Sequence, residues 1–409
     1  MGLVTGNSDL IRQLNRALVL DLIRRQGPIS KADVKRITGL NFTTVTNAVT
    51  DLVGEGLVQE IGLGNSSGGR KPVLLTLNST ARYVLGCELQ STELVIGLFD
   101  LTGRLVAQVQ EPKDPATSPQ EVVERIKDGV RRVLLEGEVP RVRVEGLGVA
   151  APGPLDSRTG ILRTPPNMIG WRDVPLRQML EQALDLQVVV EKDGNAAALG
   201  EAWFGAGQQV HDLVYIIIDA GIGAGIVSGG HLYRGKQSGA GEIGHTTIDI
   251  DGPRCSCGNY GCLEAIASGF ALARKAGEAI RRGVATQLAQ YGDGEAAFGV
   301  PQILAAAEAG DKLALDLLDE CGRTLGIAVA NIVNMYNPEL IVLGGRLAQH
   351  SPVVLGRAQE LGRSRAFSVL AQEAKIVPSA LGDQFLVTGA AALILAQLFR
   401  GPVDLASAE

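Results

Sequence analysis

The sequence predicts an α/β protein in two lobes behind a small head, and three observations carry that prediction. Strands and helices alternate through most of the chain, the pattern of a sheet covered by helical layers. The stretch "LVYIIIDAGIGAGIVSGGHLYRG", from Leu213, repeats the strand–turn–strand order found around residues 84–110, which implies two similar lobes with a cleft. The first 78 residues carry nine Lys+Arg and six Asp+Glu, against 29 and 38 in the remainder. A length of 409 residues is itself too great for one ordinary domain.

With a formal charge of −6 nothing overall points to nucleic acid, but the average hides an asymmetry, and the mildly basic head is the candidate for a polyanionic partner. The opening "MGLVTGNSDLIRQLNR" has no apolar core of a signal peptide. With no run of about 18 uninterrupted apolar residues, no membrane span is expected. Five cysteines, three of them clustered, fit a reducing cytoplasm better than an extracellular disulfide framework.

In the head, "LIRQLNRALVLDLIRRQ" (10–26) places Leu10, Leu14, Ala17, Leu18 and Leu22 on one helical face, ended by Gly27-Pro28. Ser30 is a candidate N-cap for a short second helix that Gly39 closes. A third helix starts near Asn41, with Leu40, Val45, Val49 and Leu52-Val53 at helical spacing. Two short strands follow, flanking "NSSGGRK". Helix, helix, helix, strand, glycine-rich tip, strand is the order of a winged helix-turn-helix. A three-helix dimerisation core is the blander alternative. The third helix favours DNA, because Thr43, Thr44, Thr46 and Asn47 are short polar side chains suited to a major groove. The tip favours it too, since Arg70 and Lys71 follow a double glycine and suit a narrow minor groove.

Beyond Asn78, residues 83–110 read as a three-stranded meander with a turn at Thr102-Gly103, and a helix follows over about 119–136. "EGLGVAAPGPLD" is a buried strand entering a Gly/Pro loop, and "LQVVVEKDGNAAALGEAWFGAG" is a strand, a loop and a helix start. Helices dominate 265–336, before the strand "ELIVLGG" and a final helix "LVTGAAALILAQLF". The expected division is a winged helix-turn-helix domain over 1–78, one lobe over 79–195 and a second over 196–409, with the last helix returning to the first lobe.

"APGPLD", "PPNMIGW", "EKDGNAAALGE", "GIGAGIVSGGHLYRG", "GAGEIGH" and "CSCGNYGCLE" occur in this order. With them the chain resembles the ROK family of repressors, open reading frames and kinases over nearly its whole length. The resemblance implies a two-lobed, actin/hexokinase-like (ribonuclease H-like) sugar-binding body. The head and "TTIDIDGPRCSCGNYGCLE" are most similar to the family's xylose-operon repressors.

The cysteines of "CSCGNYGC" suit either redox or metal chemistry. C-x-C is a less usual redox spacing than C-x-x-C. His245, ten residues before Cys255, can fold back as a fourth ligand, and Cys3His is a closed set that reads as structural zinc. The resemblance implies zinc on His245, Cys255, Cys257 and Cys262. Cys87 and Cys321 sit in apolar contexts and read as core. The resemblance also implies sugar contacts at Asn167, Asp193, Glu242, His245 and Glu264, whose carboxylates and amide suit sugar hydroxyls. Lys192 departs from the asparagine usual before that aspartate.

Kinases of this fold cradle ATP in two glycine turns. Here the first, "ELQST" (88–92), has Gln90 and Ser91 in place of glycines, and the second is Asp219-Ala220-Gly221. Side chains crowd the first turn, and a carboxylate opposes phosphate charge at the second. No catalytic role is therefore expected. The expected function is a sugar-responsive transcriptional repressor, a homodimer or homotetramer on a palindromic operator, with xylose or glucose as effector. An ATP-dependent sugar kinase carrying a DNA-binding head is the alternative, and a constitutive repressor with a dead pocket is a third reading.

Overall fold

A computed structural model describes residues 8–63, 71–165, 167–294 and 298–400. The chain forms two compact units. The first comprises residues 1–151, 158–190 and 390–409, and the second comprises 152–157 and 191–389.

The first unit opens with helices Ser8–Gln26, Lys31–Thr38 and Phe42–Gly54. A three-stranded sheet completes the head, with Val73–Leu77 between Ile29–Ser30 and Val58–Leu63. The caps follow the sequence. Ser30 Oγ accepts from Asp33 N at 3.2 Å, and Asn41 Oδ1 accepts from Thr44 N at 2.8 Å. Gly39, at φ 72°, closes the second helix as only glycine does readily. The apolar face of the first helix is displaced from the predicted one, for Leu18 is 46 % exposed while Ala17, Val19, Leu20, Leu22 and Ile23 are buried. This helix packs on both the third helix and the strand Val73–Leu77. Its buried arc is correspondingly wide, and Leu18 falls just outside the edge.

The body of this unit is a five-stranded sheet in the order Val188–Lys192, Val144–Ala151, Tyr83–Leu89, Glu93–Asp100, Leu105–Pro112. The last three are the antiparallel meander, and Tyr83–Leu89 pairs in parallel with Val144–Ala151. Asp100 fixes the Thr102-Gly103 turn, its Oδ1 accepting from Thr102 N, Thr102 Oγ1 and Arg104 N. The helix Pro119–Glu136 covers this sheet. The final helix, Phe385–Arg400, crosses from the second unit into the first. There its Ala390 carbonyl lies so close to Gly148 that a Cβ would meet it at 1.8 Å. Among the described residues it is the one helix long and apolar enough to cross a membrane, and 72 % of that window is buried within the structure.

The second unit repeats the sheet. Its order is His231–Leu232, Ile222–Ser228, Leu213–Ile218, Leu340–Gly344, Lys375–Pro378, three antiparallel strands and then parallel neighbours. Long helices, Gly269–Arg281, Lys312–Tyr336 and Pro352–Arg365, surround a continuous apolar core built on Ile216, Leu272, Leu325 and Ile341. The loop expected after "VVVEK" is absent. The strand Val188–Lys192 runs straight into the helix Asp193–Phe204. That helix presses its Gly194 onto the hairpin, where a Cβ would lie 2.6 Å from Ala224 O. A glycine is required at this contact, and the contact fixes Asp193 beside it.

Candidate metal centre and effector site

The ligand atoms of His245, Cys255, Cys257 and Cys262 all lie within 4.8 Å of one another. Local turns build the cluster. Cys255 N donates to Asn259 O at 2.7 Å, Gly258 N to Cys255 O at 3.0 Å, and Gly261 N to Pro253 O at 2.8 Å. Gly261, at φ 64°, passes so close to Asp249 O that a Cβ would stand 1.5 Å from it. Cys255 and Cys262 are buried and Cys257 is exposed. Cys255 Sγ lies 3.7 Å from His245 Nδ1, and Cys257 Sγ lies 3.8 Å from Cys262 Sγ. A tetrahedral ion with metal–sulfur bonds of about 2.3 Å spaces its ligands roughly 3.5–3.8 Å apart. The four side chains are thus a preformed set able to hold a metal ion. Cys87 and Cys321 are buried apart from it, and burial pushes the Cys321 thiol up to about 12.

Backbone hydrogen bonds tie this knuckle to the residues around it. Leu263 N donates to Thr246 O at 2.9 Å and Ile248 N to Gly261 O at 2.8 Å. Glu264, two residues past Cys262, accepts from Ile222 N through Oε2 at 3.0 Å, which leaves Oε1 for another donor. Gly221 makes room for that carboxylate, since a Cβ there would sit 2.8 Å from Oε2. Glu242 begins the turn that ends at His245.

Asp193 starts its helix and accepts from Gly194 N at 2.7 Å. Part of the residue stays open to solvent, but protein crowds its carboxyl. Burial raises its pKa from 3.8 to about 6, against the pull of the Gly194 N–H and Lys192 and with the push of Glu242 and Glu264. The charges of Glu242 and Glu264 thus reach Asp193 within the second unit. Asn167 lies in the first unit, exposed on a turn at φ 61°.

Two groups at this site were not assigned roles from sequence. Lys192 is buried and its Nζ donates to Glu242 Oε1 at 2.5 Å and to Ala240 O at 2.9 Å. Glu191, 1 % exposed, accepts from Ser157 Oγ, Asn195 Nδ2 and the Lys192 backbone N through Oε1, and from Arg234 Nε through Oε2. An acid closing the apolar run "VVVE" was the available signal, since a buried carboxylate needs such partners. Asn195 thus has a structural partner in Glu191.

The two turns matched to nucleotide loops differ in how they are held. Gln90 closes the hairpin between Tyr83–Leu89 and Glu93–Asp100, its N donating to Glu93 O at 3.0 Å. Asp219 is held by Arg346, whose Nε and Nη2 reach Oδ1 at 2.9 and 2.7 Å, and it accepts from Ala220 N.

In the head, Thr43, Asn47 and Thr50 are exposed along the third helix and Thr44 is half-buried. Thr46 departs from its expected groove-facing role, because the residue is half-buried and its Oγ1 is covered by protein. Lys71 is exposed, and Arg70 lies outside the described residues.

The model of the ROK family matches residues 84–397, most of the chain. The chain belongs to the ROK family. It is 32 % identical over 397 residues to the xylose repressor of Caldicellulosiruptor bescii, covering 97 % of this chain and 99 % of that protein. The DNA-binding transcriptional repressor Mlc of Escherichia coli is 29 % identical, with 97 % and 96 % covered. A crystal structure of a ROK family transcriptional regulator, described as a homologue of Mlc, superposes with a TM-score of 0.83 at 32 % identity, covering 96 % of this chain and 98 % of that one. The ROK hexokinase of Thermus thermophilus reaches 0.64 at 33 % identity. It is covered completely but accounts for 78 % of this chain. ROK members thus include both repressors and sugar kinases, and the body of this chain matches both.

Proposed function

We propose that the protein is a cytoplasmic, sugar-responsive DNA-binding transcriptional repressor of a carbohydrate-utilisation operon, and not an enzyme. One observation carries the reading. The repressors match the chain end to end, head included, whereas the hexokinase is matched completely yet leaves about a fifth of this chain uncovered. The Asp219–Arg346 pair supports the non-enzymatic reading, because the arginine at this turn is engaged by an internal carboxylate.

On this reading residues 1–78 are the DNA-binding domain, and the exposed Thr43 and Asn47 read bases while Arg70 and Lys71 contact the backbone or minor groove. The protein acts as a homodimer or homotetramer on a palindromic operator. Zinc is the fitting ion for the Cys3His set, held by Cys255, Cys257, Cys262 and His245 Nδ1, with Nε2 left for the sugar. Asp193, Glu242, His245 and Glu264, all in the second unit, receive the sugar hydroxyls. The relatives named xylose repressor make xylose the first candidate and glucose the second.

Gel shift on the operator upstream of the chain's own operon, with and without each sugar, tests the proposal. Sugar is expected to shift the binding midpoint by about ten- to hundredfold, the size of a usual allosteric coupling. No shift with any sugar leaves a constitutive repressor, and sugar-dependent ADP release above about 1 per second reinstates the kinase. Within the same assay, Asn47→Ala is expected to weaken operator binding by roughly 1–3 kcal/mol and to relax preference at one base pair. Lys71→Ala should instead weaken all sequences alike and flatten the salt dependence. Asn47→Ala binding like the wild type would remove the third helix from the major groove.

A further inference from the structure

The geometry points to Lys192 as a recognition residue that donates to an uncharged, unphosphorylated sugar and sets the Glu242 carboxylate for it. This rests on the effector reading above. Lys192 has a side chain only 6 % exposed, whereas that of its partner Glu242 is 48 % exposed. An ammonium buried so deeply needs fixed acceptors, and two are present: Glu242 Oε1 at 2.5 Å and Ala240 O at 2.9 Å. An ammonium has three N–H donors, so these bonds leave one for a ligand oxygen.

The pairing also orients Glu242. With Oε1 held by Lys192, the other oxygen is left to accept from a hydroxyl. The backbone of Lys192 is itself clamped, since its N donates to Glu191 Oε1 at 2.9 Å and Glu191 is fixed by Ser157, Asn195 and Arg234. The result is a donor rooted in a buried network beside a half-exposed carboxylate.

The charge around it decides the ligand class. Asp193, Glu242 and Glu264 share the locality, and Lys192 is the cation that acts on Asp193 there. Arg234 is taken by Glu191. Three carboxylates against one ammonium reject a phosphate or carboxylate on the sugar. A hydroxyl is suited, because its oxygen accepts from Lys192 while its proton goes to a carboxylate.

The test is calorimetry of the full-length protein with D-xylose, D-glucose and D-glucose 6-phosphate. The variants are Lys192→Met and Lys192→Gln, each checked for metal content and melting temperature. Lys192→Met is expected to bind the sugar that wild type prefers roughly ten- to hundredfold more weakly, the size of one charged hydrogen bond. Lys192→Gln, which keeps a donor, should recover part of that loss, and glucose 6-phosphate should bind the wild type more weakly than glucose. If Lys192→Met does not fold, Lys192→Gln carries the test, with a loss of several-fold expected. A variant within about threefold of wild type for every sugar overturns the inference alone, as does tighter binding of the phosphorylated sugar. Wild type that binds none of the three sugars overturns the effector reading and this inference with it.

Discussion

Cys262→Ser, on the proposed assignment of zinc to the Cys3His set, is expected to lose both the metal and the response to sugar. The side chain is fully buried, and its sulfur stands 3.8 Å from that of Cys257. A serine oxygen binds zinc far more weakly than a thiolate and leaves three ligands in a closed site. Binding of a structural metal is folding free energy, so the knuckle between His245 and Cys262 loses its cross-link, at an expected cost of about 3–5 kcal/mol. The consequence spreads because of what the knuckle carries. Leu263 N is bonded to Thr246 O, and Glu264 reaches back to Ile222 N. Release of the cluster therefore frees Glu264 and His245 together. Metal analysis, thermal melting and calorimetry with xylose and glucose read the three effects. Cys257→Ser, at the exposed ligand, should show the same metal loss with a smaller loss of stability. A metal-free variant that binds sugar with unchanged affinity would reduce the knuckle to a staple with no part in recognition.

Much of this arrangement was legible in the sequence, and the exceptions have physical causes. The head was readable because its signals are local: a serine cap, a glycine closing a helix and an asparagine opening the next are set by neighbours three or four residues away. The knuckle was readable for the same reason, since ten residues separate His245 from Cys255. Leu18 and Thr46 were misplaced because the width of a buried arc depends on how many elements pack on the helix, which periodicity does not report. The loop expected before Asp193 was wrong because the glycine of "DGN" serves a close contact with Ala224 and not a turn. Lys192–Glu242 spans 50 residues and Asp219–Arg346 spans 127, so neither pair leaves a trace in local pattern. The proposed sugar carboxylates were named by resemblance, while the lysine beside them was visible only as a departure from it.

Asp193→Asn is expected to stabilise the protein at neutral pH while abolishing the sugar response. Burial raises the Asp193 pKa from 3.8 to about 6, aided by Glu242 and Glu264. Between these two values the folded state keeps a proton that the unfolded chain has released. Stability contributed by this group therefore falls as pH rises through the window, and the penalty is complete above the folded pKa. About two units correspond to a ceiling of roughly 3 kcal/mol, reduced by whatever the Gly194 N–H bond loses when its acceptor becomes a neutral amide. Denaturant titration of both proteins should give nearly equal stability near pH 4 and a difference of about 1–3 kcal/mol in favour of the variant above pH 7. A difference that does not change with pH would show that Asp193 is not the titrating group. The functional loss follows from the same electrostatics. An ionised Asp193 stands beside the charges of Glu242 and Glu264. On the proposed effector reading, Asp193→Asn would replace a charged acceptor of a sugar hydroxyl by a neutral one.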